Sequence, residues 1–431
     1  LMSQQTREQD ATDQMAKVKK TDICEQFGTQ PINEELIQRF EKLTGQPAHP
    51  FLRRGLYFTH RDLNLFLDAF EAGRPVYIYT GRGPSSEALH LGHMIPFFFC
   101  AYLQRCFKCY VVIQVTDDEK MLRDSSLDFA TVDRYALSNI KDMLACDFDL
   151  SKTFIFLNSY YSGHVARFSC EFERLITLSQ LRATFGFPDA CNTGYVSYPP
   201  KQMQPAFYPF FPQIFTLEYC VQWKKEHTSA ENQPVQQEKV KEGMTKQQIE
   251  QKAKKAQKIG PALQPFCLIP SGYEQDPYFR LARDQAPKLG LPKPATIYNS
   301  FIPALRGCES KMSASDPTNA VYMTDKPKEI QTKINKYAFS GGKATKEEQQ
   351  MYGADIEIDV SIKYLEVFME DDAKLEEIKA KYKKGEMLTG EVKSALIEVL
   401  QNVVKAHQEK RAKISDEQVR ENVYGWGRSI Q

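Results

Sequence analysis

No uninterrupted apolar run in the 431 residues reaches the roughly 18–20 that a bilayer-spanning helix needs. Excess charge of either sign is also missing, with 56 Lys and Arg standing against 55 Asp and Glu. That balance excludes a non-specific polyanion binder, so any nucleic-acid contact must use local basic patches. The polar, charged N-terminus lacks the apolar segment of a secretory signal. A cytoplasmic protein with no membrane partner is therefore expected. The ten cysteines are scattered, several within apolar runs, and fit reduced buried thiols better than a disulfide framework. Cys106-Phe-Lys-Cys109 is a lone CxxC without a second ligand pair, so no metal site is expected. A Walker loop is absent too, and Gly81-Arg-Gly83 lacks the third glycine of the dinucleotide fingerprint.

What is present is an alternation of strands and helices. Val76-Tyr-Ile-Tyr-Thr80 is β-branched and aromatic and reads as a buried strand. Gly81-Arg-Gly-Pro follows as a turn, then an apolar helix from about Ser86 to Phe107, then a strand from Tyr110 to Thr116. This is a βαβ unit, and Pro96 predicts a kink or a stop near Ile95. Further strands are expected at Phe266–Pro270 and Thr296–Ile302. The fold class is α/β, a Rossmann-like, mostly parallel sheet. Before it, Asn33 and Gly45 bracket an amphipathic helix, and a second helix is expected from His60 to Phe70.

Three parts follow from this pattern. Residues 1–70 form an extension whose first 20 or so read as disordered. Residues 71–323 form the Rossmann-like domain, with a Lys, Gln and Glu-rich surface insertion at 224–260. Residues 324–431 form a separate helical domain, in which Val392, Leu396, Val399, Leu400 and Val403 share one face.

Two segments carry chemistry. His90-Leu-Gly-His93 lies just inside the helix after the first strand, and the i, i+3 spacing puts both imidazoles on one face. A helix N-terminus supplies N–H donors and a positive dipole end suited to phosphate, and Gly92 allows close approach. More than 200 residues downstream, Lys311-Met-Ser-Ala-Ser-Asp-Pro317 is a polar loop able to bring an ammonium and hydroxyls onto a polyphosphate.

In that order and at that distance, the two segments resemble the signature pair of class I aminoacyl-tRNA synthetases. The stretches Tyr79–His93, Gln114–Lys120, Gln275–Arg280 and Phe51–Asp62 resemble the eukaryotic cytosolic tryptophanyl members of that family. The likeness runs from about Phe27 to about His407. It implies activation of L-tryptophan by ATP with Mg²⁺, followed by transfer to tRNA(Trp), and a homodimer formed through helices between about Leu127 and Arg182. It implies catalytic roles for His90, His93 and Lys311. ATP would be held by these with Arg82, Gly83, Gly92, Lys120, Met312, Ser313 and Ser315. Tyr79 and Gln275 would read the indole N–H, Gln114 and Glu119 would take the α-amino group, and Gln202 would lie nearby. The helical domain becomes an anticodon-binding domain.

The chain departs from the family in four places. Ala314 stands where a second lysine is usual, Met203-Gln204 stand where small residues are common, Gly341-Gly-Lys-Ala-Thr345 replaces Gly-Gly-Arg-Asp-Thr, and the 224–260 insertion is unusual. A tyrosyl-tRNA synthetase, an HxGH nucleotidylyltransferase and a non-catalytic binding protein of the same fold stay open as alternatives.

Overall fold

Side-chain alternation in the strands explains why the sheet is buried on both faces. The computed structural model describes residues 20–228, 259–312, 316 and 318–427, apart from the side chains of residues 308–311. Ten strands are found there: β1 (Gln30–Pro31), β2 (Tyr57–Arg61), β3 (Val76–Arg82), β4 (Tyr110–Val115), β5 (Thr153–Leu157), β6 (Phe266–Gly272), β7 (Ala295–Asn299), β8 (Pro303–Ala304), β9 (Gly307–Lys311) and β10 (Val423–Tyr424). In β3, Val76 and Ile78 join one apolar cluster while Tyr77 and Tyr79 join another. β4 divides in the same way, Val111, Ile113 and Val115 against Val112.

The main sheet runs β1-β2-β7-β6-β3-β4-β5-β10. From β7 to β10 every neighbouring pair is parallel, and β1–β2 and β2–β7 are antiparallel. The chain steps outward from β3 to β4 and β5, then returns to lay β6 on the other side of β3. That reversal is a topological switch point, and the crevice beyond the strand ends there is where open α/β sheets bind ligands.

Several boundaries differ from the sequence reading. The helix expected from His60 begins at Leu63, because His60 and Arg61 belong to β2. The helix expected from Ser86 begins at Leu91, and Pro96 does not stop it: it continues to Phe107. Gly81 and Arg82 extend β3 rather than forming a turn, and β7 ends at Asn299. Asn33 caps its helix by accepting from the Leu36 N–H at 2.9 Å, and Gly45 ends it at φ +65°. The lead and most of the insertion lie outside the described residues; of the latter, 224–227 continue the helix Leu217–His227.

Beyond Thr324 come six helices and then β10, which joins the sheet edge beside β5. Their buried residues, Ile330, Leu365, Leu396 and Leu400 among them, belong to the same cluster as Leu91 and Met94. The long helix Thr389–Arg411 is fixed to the helix Phe129–Leu144 through the buried Asp142. One oxygen of that carboxylate lies 3.0 Å from His407 Nε2 and accepts from Arg411 Nε at 2.7 Å.

Two helix starts use neutral imidazoles as caps. His49 Nδ1 accepts from the Phe51 N–H, and His60 Nδ1 from the Leu63 N–H, each at 3.1 Å. Burial pushes both histidines down to about 4; Arg105, Arg53 and Arg54 add to this at His49, while Asp62 opposes it at His60. A depressed histidine means that the unfolded chain takes up protons first as pH falls. The stability is therefore present above about 6.5 and is lost as pH falls toward about 4. Urea unfolding at pH 5 should show a loss of roughly 1–2 kcal/mol per imidazole relative to pH 7.5. His60→Asn, which keeps an acceptor without the titration, should lose less over that interval. An equal loss in both proteins would exclude the cap as its source.

Candidate active site

A cleft of about 490 Å³ opens at the switch point, lined by the ends of β3 and β6 and the start of the helix Leu91–Phe107. His90 is not inside that helix but caps it, with extended backbone (φ −94°, ψ 164°). The i, i+3 spacing still brings the rings together: the imidazoles stack with centroids 3.5 Å apart and planes at 22°. The helix start is less open than expected, because the Leu91 N–H donates to Val321 O and the His93 N–H to His90 O. Gly92 is tightly enclosed. A Cβ there would stand 3.2 Å from His90 Nδ1 and 3.3 Å from Met312 Cε.

Met312 is thus the point at which the downstream loop meets the histidine pair. It is buried and lines the cleft. Lys311, the residue before it, closes β9 opposite Pro303. Its side chain, Ser313 and Ser315 lie outside the described residues.

A charged shelf also lines the cleft. Arg82 ends β3, and burial pushes its guanidinium down to about 10 against the raising effect of Glu119, so it stays cationic at neutral pH. Its Nε is buried with no hydrogen-bond partner among the described residues. Glu119 is paired with Lys120 Nζ at 3.0 Å and Arg123 Nε at 2.8 Å. Gly83 makes room for this shelf: a Cβ there would lie 2.7 Å from Lys120 Cε and 2.9 Å from Glu119 Oε2.

Deeper in the cleft is a chain of amides and phenols. The Tyr79 hydroxyl donates toward Gln114 Oε1 and Gln202 O, both acceptors, so its oxygen can only accept from a further group. Gln114 is almost fully buried, and its Nε2 donates to Asn158 Oδ1 at 2.8 Å and Lys201 O at 3.0 Å. Tyr198 donates to Gln202 Oε1 at 2.9 Å, and Gln202 Nε2 donates to Gln275 Oε1 at 2.7 Å. The Gln275 oxygen keeps one lone pair. Tyr79 and Gln275 together suit a ligand that is a hydrogen-bond donor only.

Apart from Lys311, of which only the backbone is described, every described residue among the sequence-derived candidates lines this one cleft: Tyr79, Arg82, Gly83, His90, Gly92, His93, Gln114, Glu119, Lys120, Gln202, Gln275 and Met312. Met203 and Gln204 turn elsewhere, Met203 into the second apolar cluster and Gln204 toward Ser169 and Glu173. Sequence reasoning missed Arg123, Tyr198 and Glu274. The i+4 spacing of Arg123 from Glu119 was a readable signal; nothing local marked Tyr198. Glu274, beside Gln275, carries a buried Oε2 with no partner among the described residues.

A doubly wound sheet with stacked histidines at its switch point, and Met312 from far along the chain packed beside them, defines a nucleotide-handling α/β enzyme. The profile of the family tRNA synthetases class I (W and Y) matches residues 71–183 and 257–405, and the chain belongs to that family. It is 45% identical over 399 residues to the human cytoplasmic tryptophan–tRNA ligase, covering 92% of this chain and 75% of that one. The Arabidopsis thaliana cytoplasmic tryptophan–tRNA ligase is 43% identical, with 94% and 89% covered. Among solved structures, the Giardia lamblia tryptophanyl-tRNA synthetase superposes with a TM-score of 0.83 at 48% identity, covering 95% and 96%. The Plasmodium falciparum enzyme gives 0.80 at 37%, covering 96% and 99%.

Gly83→Ala should force Lys120 and Glu119 to shift and weaken ATP binding about tenfold, equivalent to about 1.4 kcal/mol and within the usual cost of overpacking. Titration of the folded variant with ATP measures this. Unchanged affinity would remove the shelf from the nucleotide site.

Proposed function

We propose that this chain is a cytoplasmic tryptophan–tRNA ligase. Mg-ATP and L-tryptophan react first: the tryptophan carboxylate oxygen attacks the α-phosphate, the bond to the β-phosphate oxygen breaks, and pyrophosphate leaves. The 2′-hydroxyl of the terminal adenosine of tRNA(Trp) then attacks the adenylate carbonyl, its proton is lost, and AMP leaves. No side-chain nucleophile is required, so catalysis rests on positioning and charge stabilisation.

His90 and His93 face the phosphates with Gly92 and Met312 shaping the wall between them. Lys311, with Ser313 and Ser315, meets the leaving pyrophosphate. Arg82 and Lys120 add positive charge above Gly83. With Ala314 in place of the second lysine, Arg82 and Lys120 are the cations available to assist Lys311. Mg²⁺ comes as part of the Mg-ATP substrate complex. Tyr79 and Gln275 accept from the indole N–H, with Gln202 holding Gln275 in place. Glu119 and Gln114 take the α-amino group, and for Glu119 this means that the ammonium competes with Lys120 or Arg123. Residues 71–323 form the catalytic domain, 324–431 bind the anticodon, 1–70 are an extension, and helices between 127 and 182 form a homodimer interface.

The observation that carries this reading is the acceptor-only face of Tyr79 and Gln275, in the same cleft as the histidine pair and Met312. ATP–pyrophosphate exchange should depend on tryptophan and not on tyrosine. Exchange with tyrosine, or exchange independent of either amino acid, would overturn it. Gln275→Leu should lower kcat/KM for tryptophan by about 1–3 kcal/mol through loss of a buried hydrogen bond. An unchanged value would count against the pocket. Lys311→Ala should lower kcat for activation more than it raises the KM for ATP; a change confined to that KM would make the lysine a ground-state contact.

A further inference from the structure

Tyr364 does not line the cleft, yet it touches the segment on which the chemistry depends. It lies on the helix Val360–Phe368 and is fully buried. Its hydroxyl donates to Pro303 O at 3.0 Å and lies 3.7 Å from Met312 Sδ. Pro303 is the strand partner of Lys311, and Met312 is the next residue in the chain. One hydroxyl therefore contacts the residue opposite Lys311 and the residue after it.

The helix that carries Tyr364 is itself firmly held. Asp359 caps it, one carboxylate oxygen accepting from the Ile362 N–H at 3.1 Å. The other accepts from the Gly341 N–H and the Tyr382 hydroxyl, each at 2.9 Å. Burial raises the Tyr364 phenol well above its ordinary range, so it remains a donor at any working pH. On the far side of Met312, its methyl group faces Gly92 closely enough that even a Cβ there would be 3.3 Å away.

We infer that Tyr364 is a positioning residue: its hydroxyl sets where the Lys311–Met312 segment sits against the His90–Gly92–His93 turn. Without the hydroxyl, the Pro303 carbonyl and the Met312 sulfur lose their shared donor, and the segment can move relative to the histidines. A small misplacement of a reacting group costs rate rather than ground-state affinity for a substrate bound elsewhere in the cleft. The inference rests on the proposed role of Lys311 in activation.

The test is Tyr364→Phe, which keeps the ring and removes the hydroxyl. In tryptophan-dependent ATP–pyrophosphate exchange, kcat should fall by about 5- to 10-fold, while the KM for tryptophan stays within about twofold. Combined with Lys311→Ala, the same change should alter kcat by less than about twofold, because it acts through that segment. A normal kcat in Tyr364→Phe, with Lys311→Ala slow, overturns the positioning role and leaves the activation reading intact. An undiminished effect in the Lys311→Ala background, or a rise in the tryptophan KM to match the fall in kcat, also overturns it. If Lys311→Ala itself leaves kcat unchanged, the activation reading fails and the inference fails with it. Should Tyr364→Phe not yield folded protein, Met312→Leu removes the sulfur contact and must lower kcat with the tryptophan KM unchanged; an unaltered kcat overturns the inference.

Discussion

Around His90 the Leu91 N–H donates to Val321 O, and the Met323 N–H donates to Leu89 O. This short antiparallel bridge joins the start of the histidine helix to the chain that has just left the lysine loop. The placement of the histidine pair at the cleft depends on it. The imidazoles can stack over the cleft only if His90 keeps its extended backbone, and the bridge holds that backbone. Met312 packs against Gly92 beside this bridge. The bridge also engages the N–H of Leu91, the first residue of the helix, so that donor is not open to the cleft.

The rest of the cleft follows a different logic, one of committed donors. The Tyr79 proton is held by two acceptors, and Gln202 uses an amide N–H to hold Gln275. Gln114 is in turn fixed by Asn158, whose amide donates to Asp118, which is paired with Lys201. Buried polar networks of this kind are costly if any member lacks a partner and rigid when all are satisfied. Such rigidity lets a site discriminate by hydrogen-bond type, since a ligand without the right donor leaves buried acceptors unpaired. Sites of this sort can reject near-isosteric analogues by roughly four to five powers of ten.

The helical C-terminal part is bound into the structure at several points that bear on the cleft. Arg54 reaches Asp372 and accepting carbonyls at the end of the helix Val360–Phe368, including Glu366 O at 3.0 Å. Gln408 donates to Met323 O at 2.8 Å, inside the segment that forms the bridge at His90. His407 and Arg411, one and three residues from Gln408, meet the buried Asp142, and β10 closes the sheet edge. Helices at the far end of the chain therefore support the backbone that positions the histidines, without lining the cleft themselves.

Much of this was readable from local sequence. The β-branched and aromatic runs marked the central strands, Asn33 and Gly45 marked a helix, and the spacing of His90 and His93 put both rings on one side. These are short-range consequences of backbone geometry and side-chain shape, so a few neighbouring residues suffice to determine them. The fold class and the family likeness were legible for the same reason. Tertiary structure alone decided that β6 returns beside β3, that a two-residue strand at Val423–Tyr424 completes the sheet, and that histidines at 49 and 60 serve as helix caps. It also decided that the Tyr79 proton is committed to Gln114 and Gln202 and that Tyr364 grips the β8–β9 hairpin. Each of these is a hydrogen bond or packing contact between residues distant in sequence, and its partner is chosen by the whole fold rather than by neighbours in the chain.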